Sequence, residues 1–384
     1  MSSRVFSGLV GQSSVISTLE SAVHAAHNGS TGQEMTHAWL FTGPPGSGRS
    51  NAAKSFAAAL VCNESGCGEC SDCVTAQVGT HPDVEIVDVS GISIKIDEIR
   101  EVVSRSAWGA SISKWRIVVI EDCDRMTEAA ANALLKAVEE PGGQTIWLLC
   151  APTLQDVIPT IRSRCRHLNL KTPSAAEIAS FLRDSLGANQ EDAELAARIS
   201  QGHIGKARGY LQDPSFQEAR KKSFEILFHI KSEGSAILAA AKIVELANER
   251  AELRTTERNE IESEELKAAL QSGSRGLVSG GARALKDLER EQKARLTRLI
   301  KDEIDGVLLD YATFLRDCLT GDGPFINTDL KEDISRVSSA NKSGQIAEAL
   351  VKLNQTRESL TTNAAQLLLV ESFLLHFLPL NRGN

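Results

Sequence analysis

The chain is predicted to be a parallel α/β domain followed by an all-helical half, and three observations carry that expectation. Gly43-Pro44-Pro45-Gly46-Ser47-Gly48-Arg49-Ser50 matches a phosphate-binding loop at every required position but one, where arginine replaces lysine. Short β-prone segments alternate with helix-patterned ones up to about residue 170, the pattern of a parallel sheet covered on both faces. Beyond Thr172-Pro173-Ser174 the strand signal disappears and helical periodicity takes over.

Each element follows in order. Residues 38–42 read as a short buried strand that leads into the loop, and alanine-rich residues 51–61 read as the helix behind it. Glycines let such a loop turn its N–H groups inward, and the helix N-terminus adds partial positive charge, so phosphate is stabilised there. Lysine would supply a point charge to the terminal phosphates; Arg49 supplies a larger planar fork, which puts ordinary hydrolysis in question. Cys62, Cys67, Cys70 and Cys73 come next, four thiols within twelve residues and interleaved with Gly66 and Gly68. In a chain of a reducing compartment that spacing favours a structural Zn2+ over disulfides, since two-residue spacers turn neighbouring sulfurs toward one point.

Residues 84–89 alternate as a strand, and residues 95–106 place Ile96, Ile99, Val102 and Val103 at helical spacing. Residues 116–120 form a continuous apolar run ending in Glu121-Asp122, as in a central parallel strand. At the end of such a strand one carboxylate can hold Mg2+ and the next can orient an attacking water; the order here is the reverse of the usual Asp-Glu. Thr127 caps a helix that runs through Glu139 and Glu140 and is stopped by Pro141-Gly142-Gly143. Strands at 145–150 and 167–170, with a short helix near 155–161 between them, complete a five-stranded parallel sheet. Three short helices follow, at 175–186, 191–200 and 204–211, separated by Gly187 and Gly202. Everything after Pro214 is helical in pattern. Residues 255–283, charged and then Ser/Gly-rich, are the expected mobile insertion or linker. Residues 284–319 read as an amphipathic packing helix and 364–380 as a buried terminal one.

Composition narrows the class. With 384 residues the chain should hold two or three domains, and 42% hydrophobic with 24% charged residues is ordinary for a globular protein. A formal net charge of −8 argues against the chain alone being a strong nucleic-acid binder. No signal peptide or membrane-length apolar run is read, so a cytoplasmic protein without a membrane partner is expected.

Taken together, several motifs resemble those of bacterial clamp-loader subunits of the AAA+ superfamily. They are Leu9-Val10-Gly11-Gln12, His37-Ala38-Trp39-Leu40, the phosphate loop, the four cysteines, His81-Pro82-Asp83 and Ile96-Asp97-Glu98-Ile99-Arg100. Most specific are Ala130-Ala131-Asn132-Ala133-Leu134-Leu135-Lys136, Val138-Glu139-Glu140-Pro141 and Arg162-Ser163-Arg164-Cys165. The motifs cover about the first 210 residues. The resemblance implies an AAA+ nucleotide-binding domain at 1–172 with a zinc module at 62–73, a three-helix lid at 173–213 and a helical collar at 214–384. It implies that Val10 and Gln12 line an adenine pocket, that residues Gly43 to Ser50 cradle ATP/Mg2+, and that Glu121 and Asp122 form a degenerate metal-binding pair. Ser163-Arg164-Cys165 matches a motif whose arginine enters the neighbouring subunit's ATP site, where it stabilises charge on the transferred phosphoryl group.

Departures from the motor-subunit pattern select within the family. Ala151-Pro152 falls where a polar sensor is expected at the end of the fourth strand, and Gly202-His203-Ile204-Gly205 falls where a second, arginine sensor is expected. Hydrolysis here depends on positioning and charge stabilisation, so loss of several donors should cost orders of magnitude in rate. The resemblance therefore implies a weakly or non-hydrolysing subunit that donates Arg164 in trans. Its implied setting is a hetero-pentamer with motor and delta subunits of the DNA polymerase III holoenzyme, which loads a sliding clamp on primed DNA. The alternative is an ATP-hydrolysing motor subunit of the same loader.

Overall fold

Apolar β-branched runs make the strands, and their positions in the sheet decide where the functional loops meet. A computed structural model of the chain describes residues 3–28, 34–87, 93–142, 144–272, 281–321, 323–360, 362 and 364–382. It divides into two compact units, Met1–Arg208 and Gly209–Asn384.

In the first unit, α1 (Ser13–His27) precedes β1 (Ala38–Thr42) and α2 (Arg49–Val61), which follows the phosphate loop directly. Next come α3 (Ser71–Val78), β2 (Val84–Val87), α4 (Ile96–Ser106), β3 (Arg116–Ile120), α5 (Glu128–Glu139) and β4 (Thr145–Ala151). The unit continues with α6 (Pro159–Arg162), β5 (Arg166–Asn169), α7 (Ala175–Leu186), α8 (Gln190–Ile199) and the start of α9 (Ile204–Gln212). The five strands pair in parallel in the order β2-β3-β4-β1-β5. That is the expected five-stranded parallel sheet with helices, consistent with a P-loop AAA+ domain. The strand expected to reach residue 89 is described to Val87, and its last two positions lie outside the described residues.

Period-two alternation sorts each strand onto two cores. Trp39 and Phe41 join Val119, Leu148 and α2 on one face, while Ala38 and Leu40 join Val118, Trp147, Leu149 and α5 on the other. Ala52, Ala53, Ala57 and Ala58 are fully buried, so α2 approaches the sheet closely and Phe56 meets Trp39 edge-on at 5.0 Å between ring centroids. Thr127 caps α5 as expected, its hydroxyl accepting from Ala130 N at 3.2 Å. A complete capping box between Ser174 and Glu177 starts α7. Pro159 at the first helical position delays α6 beyond its expected start. The helix α3 was not foreseen: Cys70 Sγ, not a hydroxyl, caps it.

The second unit holds α10 (Pro214–Phe228), α11 (Glu233–Ser272), α12 (Gly281–Thr320), α13 (Lys331–Ala340), α14 (Ser343–Leu360) and α15 (Gln366–Arg382). Phe224, Phe228, Tyr311, Phe314, Phe373 and Phe377 form its aromatic centre. Residues 255–272 correct the expectation of a mobile insertion, because they continue α11 as regular helix. They contain neither glycine nor proline, and α12 braces them: Arg295 reaches Asn259 Oδ1 and Glu262, and just before them Arg250 and Arg254 pair with Glu303. The Ser/Gly-rich part of that expectation, at 273–280, lies outside the described residues. Among the described residues no helix is long and apolar enough to cross a membrane.

Candidate nucleotide and metal sites

In a parallel sheet, ligand-binding groups gather beyond the carboxyl ends of the strands. The loop after β1, the carboxylates after β3 and Ala151-Pro152 after β4 all lie there. Gly43 N donates to Pro152 O at 3.1 Å, which ties the phosphate loop to the position where a polar sensor was sought. A Cβ at Gly43 would come within 2.9 Å of Leu170 O, so only glycine fits. Gly46 and Gly48 adopt φ of +85° and +88°, the left-handed region that glycine enters without strain, and Gly48 caps α2. The root of His203 lies against Gly46: a Cβ there would sit 2.7 Å from His203 Cβ and Cγ. Thus the residue standing at the second sensor position touches the loop through its side chain.

Arg49 occupies the lysine position but turns inward. Its Nη1 donates to Gly43 O and its Nη2 to Asp122 Oδ1, both at 2.9 Å, with each charged side chain only 14% exposed. Asp122 itself sits at φ +50°, a left-handed position that aspartate tolerates. Lys54, one turn further along α2, pairs with Glu121 at 2.7 Å. Both carboxylates, one expected to hold Mg2+ and the other to orient an attacking water, are therefore matched to cations from α2. Ser47 Oγ, Arg49 Nε and Asp124 Oδ1 are among the atoms of this neighbourhood that are buried without a hydrogen-bond partner. Burial raises the Asp124 carboxyl, and the charge of Asp122 adds to the effect.

Val10 and Gln12 are both buried. Gln12 closes a two-way link to the Lys171 backbone, donating to its carbonyl at 2.6 Å and accepting from its N–H at 3.1 Å. Val10 borders an open groove of about 510 Å3 that Gly11, Glu177 and Phe181 also line.

Arg164 lies past α6. Its Nη1 donates to Thr160 O at 2.8 Å and lies 3.3 Å from Ser163 Oγ, and its Nη2 pairs with Glu139 at 2.5 Å. Cys165 beside it is half-buried, and burial pushes its thiol up to about 12, so it is a packing group and not a nucleophile.

The four cysteines converge. Cys62 Sγ lies 3.7 Å from both Cys67 Sγ and Cys70 Sγ, Cys67 Sγ lies 4.0 Å from Cys73 Sγ, and all four sulfurs fall within 4.8 Å of one another. A tetrahedron with Zn–S bonds of about 2.3 Å has edges of about 3.8 Å, so the four-sulfur donor set fits a structural ion. Backbone N–H groups of Glu64, Gly68, Cys70 and Cys73 point at the sulfurs at 3.4 Å, the outer hydrogen bonds that thiolate ligands require. N–H donors from Glu69 and Cys70 hold the Cys67 thiol down at about 7. Gly66 is required at φ +97°, where a Cβ would strike Val5.

The sequence reading did not find the partners Lys54 and Glu139, nor the contact of His203 with Gly46. None has a local spacing signal, because each acts through a residue distant in sequence.

Residues 18–174 match the protein family described as DNA polymerase III, delta subunit. The delta′ subunit of DNA polymerase III from Pseudomonas aeruginosa is 35% identical over 159 residues, 40% of this chain and 48% of that protein. The delta′ subunit from Haemophilus influenzae is 32% identical over 189 residues, 48% of this chain and 58% of that protein. The gamma/tau subunit from Mycobacterium tuberculosis is 32% identical over 167 residues, 42% of this chain and 28% of that protein. The chain thus spans about half the length of the delta′ relatives it matches. Over this segment the chain is similar to subunits of DNA polymerase III, delta′ subunits among them.

Proposed function

We propose that the chain is a delta′-like subunit of the clamp loader, with little or no hydrolysis of its own, that lends Arg164 to a neighbouring motor subunit's ATP site. The observation that carries this reading is the Arg49–Asp122 pair. In a working site the cation of the phosphate loop faces the terminal phosphates, and of the two carboxylates after β3 one holds Mg2+ and the next orients the attacking water. Here the two neutralise each other at 2.9 Å, and Lys54 neutralises Glu121 in the same way. Ala151 and Pro152 offer no side-chain hydrogen bond where one would stabilise transferred charge, and each such donor is worth about 100- to 1,000-fold in rate.

Within this reading residues 43–50 remain a phosphate cradle that can hold a nucleotide, with Val10 and Gln12 at the base. No step of hydrolysis is assigned to the chain. Helices α7–α9, at 173–213, act as the lid on a nucleotide-binding domain at 1–172, and 214–384 acts as the collar that joins neighbouring subunits. A structural Zn2+ held by Cys62, Cys67, Cys70 and Cys73 would fasten the turn between α2 and α3 and supply no reaction chemistry. Motor and delta subunits in a hetero-pentamer, the sliding clamp and primed DNA are the proposed partners, in the cytoplasm. Likeness to gamma/tau relatives at 32% identity favours the motor alternative, and the internal ion pairs oppose it.

Steady-state ATPase of the purified chain, and of the loader reconstituted with wild type or Arg164→Ala, tests the proposal. The isolated chain should be inactive or nearly so, and Arg164→Ala should slow turnover at the one motor site it enters by about 1,000-fold or more, lowering loader ATPase by that site's share with assembly intact. Motor-like turnover by the isolated chain, or unchanged loader ATPase in the variant, refutes it.

A further inference from the structure

Arg164 is not a free surface arginine, and what holds it is the most informative feature outside the nucleotide cradle. Its guanidinium is 39% exposed and is gripped from two elements. Thr160 O at the end of α6 accepts from Nη1, and Glu139, the last residue of α5, accepts from Nη2. We propose that Glu139 is a positioning residue for Arg164, a carboxylate latch that keeps the guanidinium on its own subunit until a neighbour's phosphate displaces it. This inference rests on the trans role proposed for Arg164.

The chemistry of displacement is direct. A carboxylate and a phosphoryl group present oxygens to the planar guanidinium fork in the same way, so one can replace the other without reorienting the arginine. Thr160 O needs no exchange, and it can keep Nη1 fixed while Nη2 changes partner. A latch must also be weak enough to open. Glu139 is 43% exposed, and pairs of that exposure bias an equilibrium by at most about fivefold. A dianionic or trianionic phosphate chain overcomes that bias readily, whereas water does not. The neighbouring Glu140 is exposed and makes no ion pair among the described residues, so the latch is specific to one of two adjacent carboxylates.

The test separates the latch from the role it serves. Full-length chain carrying Glu139→Gln, Glu139→Asp or Glu140→Gln is treated with phenylglyoxal, and modification of Arg164 is timed by peptide mass spectrometry. Glu139→Gln should raise the rate about two- to fivefold, Glu139→Asp should lie between it and wild type, and Glu140→Gln should match wild type. The same variants in the reconstituted loader should give a kcat/KM for ATP raised two- to fivefold by Glu139→Gln and unmoved by Glu140→Gln. Equal modification rates in Glu139→Gln and wild type overturn the latch, and so does a raised rate with unchanged loader kcat/KM. Unchanged loader ATPase in Arg164→Ala overturns the trans role instead, while the modification rates still report on the latch.

Discussion

Asp122→Asn probes the Arg49–Asp122 ion pair on which the proposed function rests. Asparagine keeps the side-chain shape and tolerates the φ of +50° that Asp122 adopts, so the backbone strain is unchanged and the charge alone is removed. Arg49 then keeps its bond to Gly43 O but faces a neutral amide at 2.9 Å. Removing one partner of a fully buried pair costs about 3–5 kcal/mol, and an exposed pair is worth about 0–1 kcal/mol. At 14% exposure on both sides the pair lies between these limits, so the expected loss is about 2 kcal/mol. For a unit of this size that is a fall of about 4–8 °C in the midpoint of its thermal transition. Calorimetry of Asp122→Asn, Arg49→Met and the double variant measures the coupling. A coupling energy of about 1–2 kcal/mol is expected. A value within the error of additivity, about 0.3–0.5 kcal/mol, refutes the claim that these two residues serve each other and not a ligand.

Elemental analysis of the purified chain should find close to one zinc per chain, and chelation or Cys73→Ser should lower the stability of the first unit; less than half an equivalent overturns the metal site. Asp83 gives a pH signature. Burial alone would raise its carboxyl, but N–H donors from Ser111, Ile112 and Ser113 outweigh it and hold it down at about 2, against an ordinary 3.8. A depressed folded value means the stabilisation, about 2 kcal/mol, is complete above pH 4 and is lost as pH falls towards 2. Asp83→Asn should flatten that limb of the stability curve, and a slope equal to wild type would contradict the assignment. Gly46→Ala should cost about 1–3 kcal/mol through its left-handed φ and its 2.7 Å approach to His203 Cβ and Cγ, and His203→Gly, which removes both atoms, should restore part of that loss. Absence of any rescue in urea titrations would mean that strain alone is being measured.

What could be read in the sequence was what is encoded locally. Continuous apolar runs specified β1, β3 and β4, Thr127 specified a helix start, and the glycine pattern specified the turn into α2. Cysteine spacing placed four sulfurs that do converge, although the helix that Cys70 caps was missed because a thiol is not an expected cap. The long hairpin of α11 and α12 was misread for a related reason. Charge density in 255–272 looked like a solvated linker, when Arg295 and Glu262 meet only after two helices, far apart in sequence, lie side by side.

The same distinction governs the functional site. Arg49 at the lysine position announced an altered loop, but a substitution in a motif says only that one interaction has changed. Its meaning lies in the partner, and Asp122 is 73 residues away in the chain. Glu121-Asp122 and Arg49 look like two independent departures from an ATPase when read along the sequence. In the fold they are one: the forked, longer cation reaches both the loop carbonyl and the carboxylate, which lysine's single ammonium cannot bridge with the same geometry. A loop cation and a carboxylate that already satisfy each other have no electrostatic need of a nucleotide to be stable. This is the physical condition under which a phosphate cradle can persist without turning over a nucleotide, as the proposed function requires.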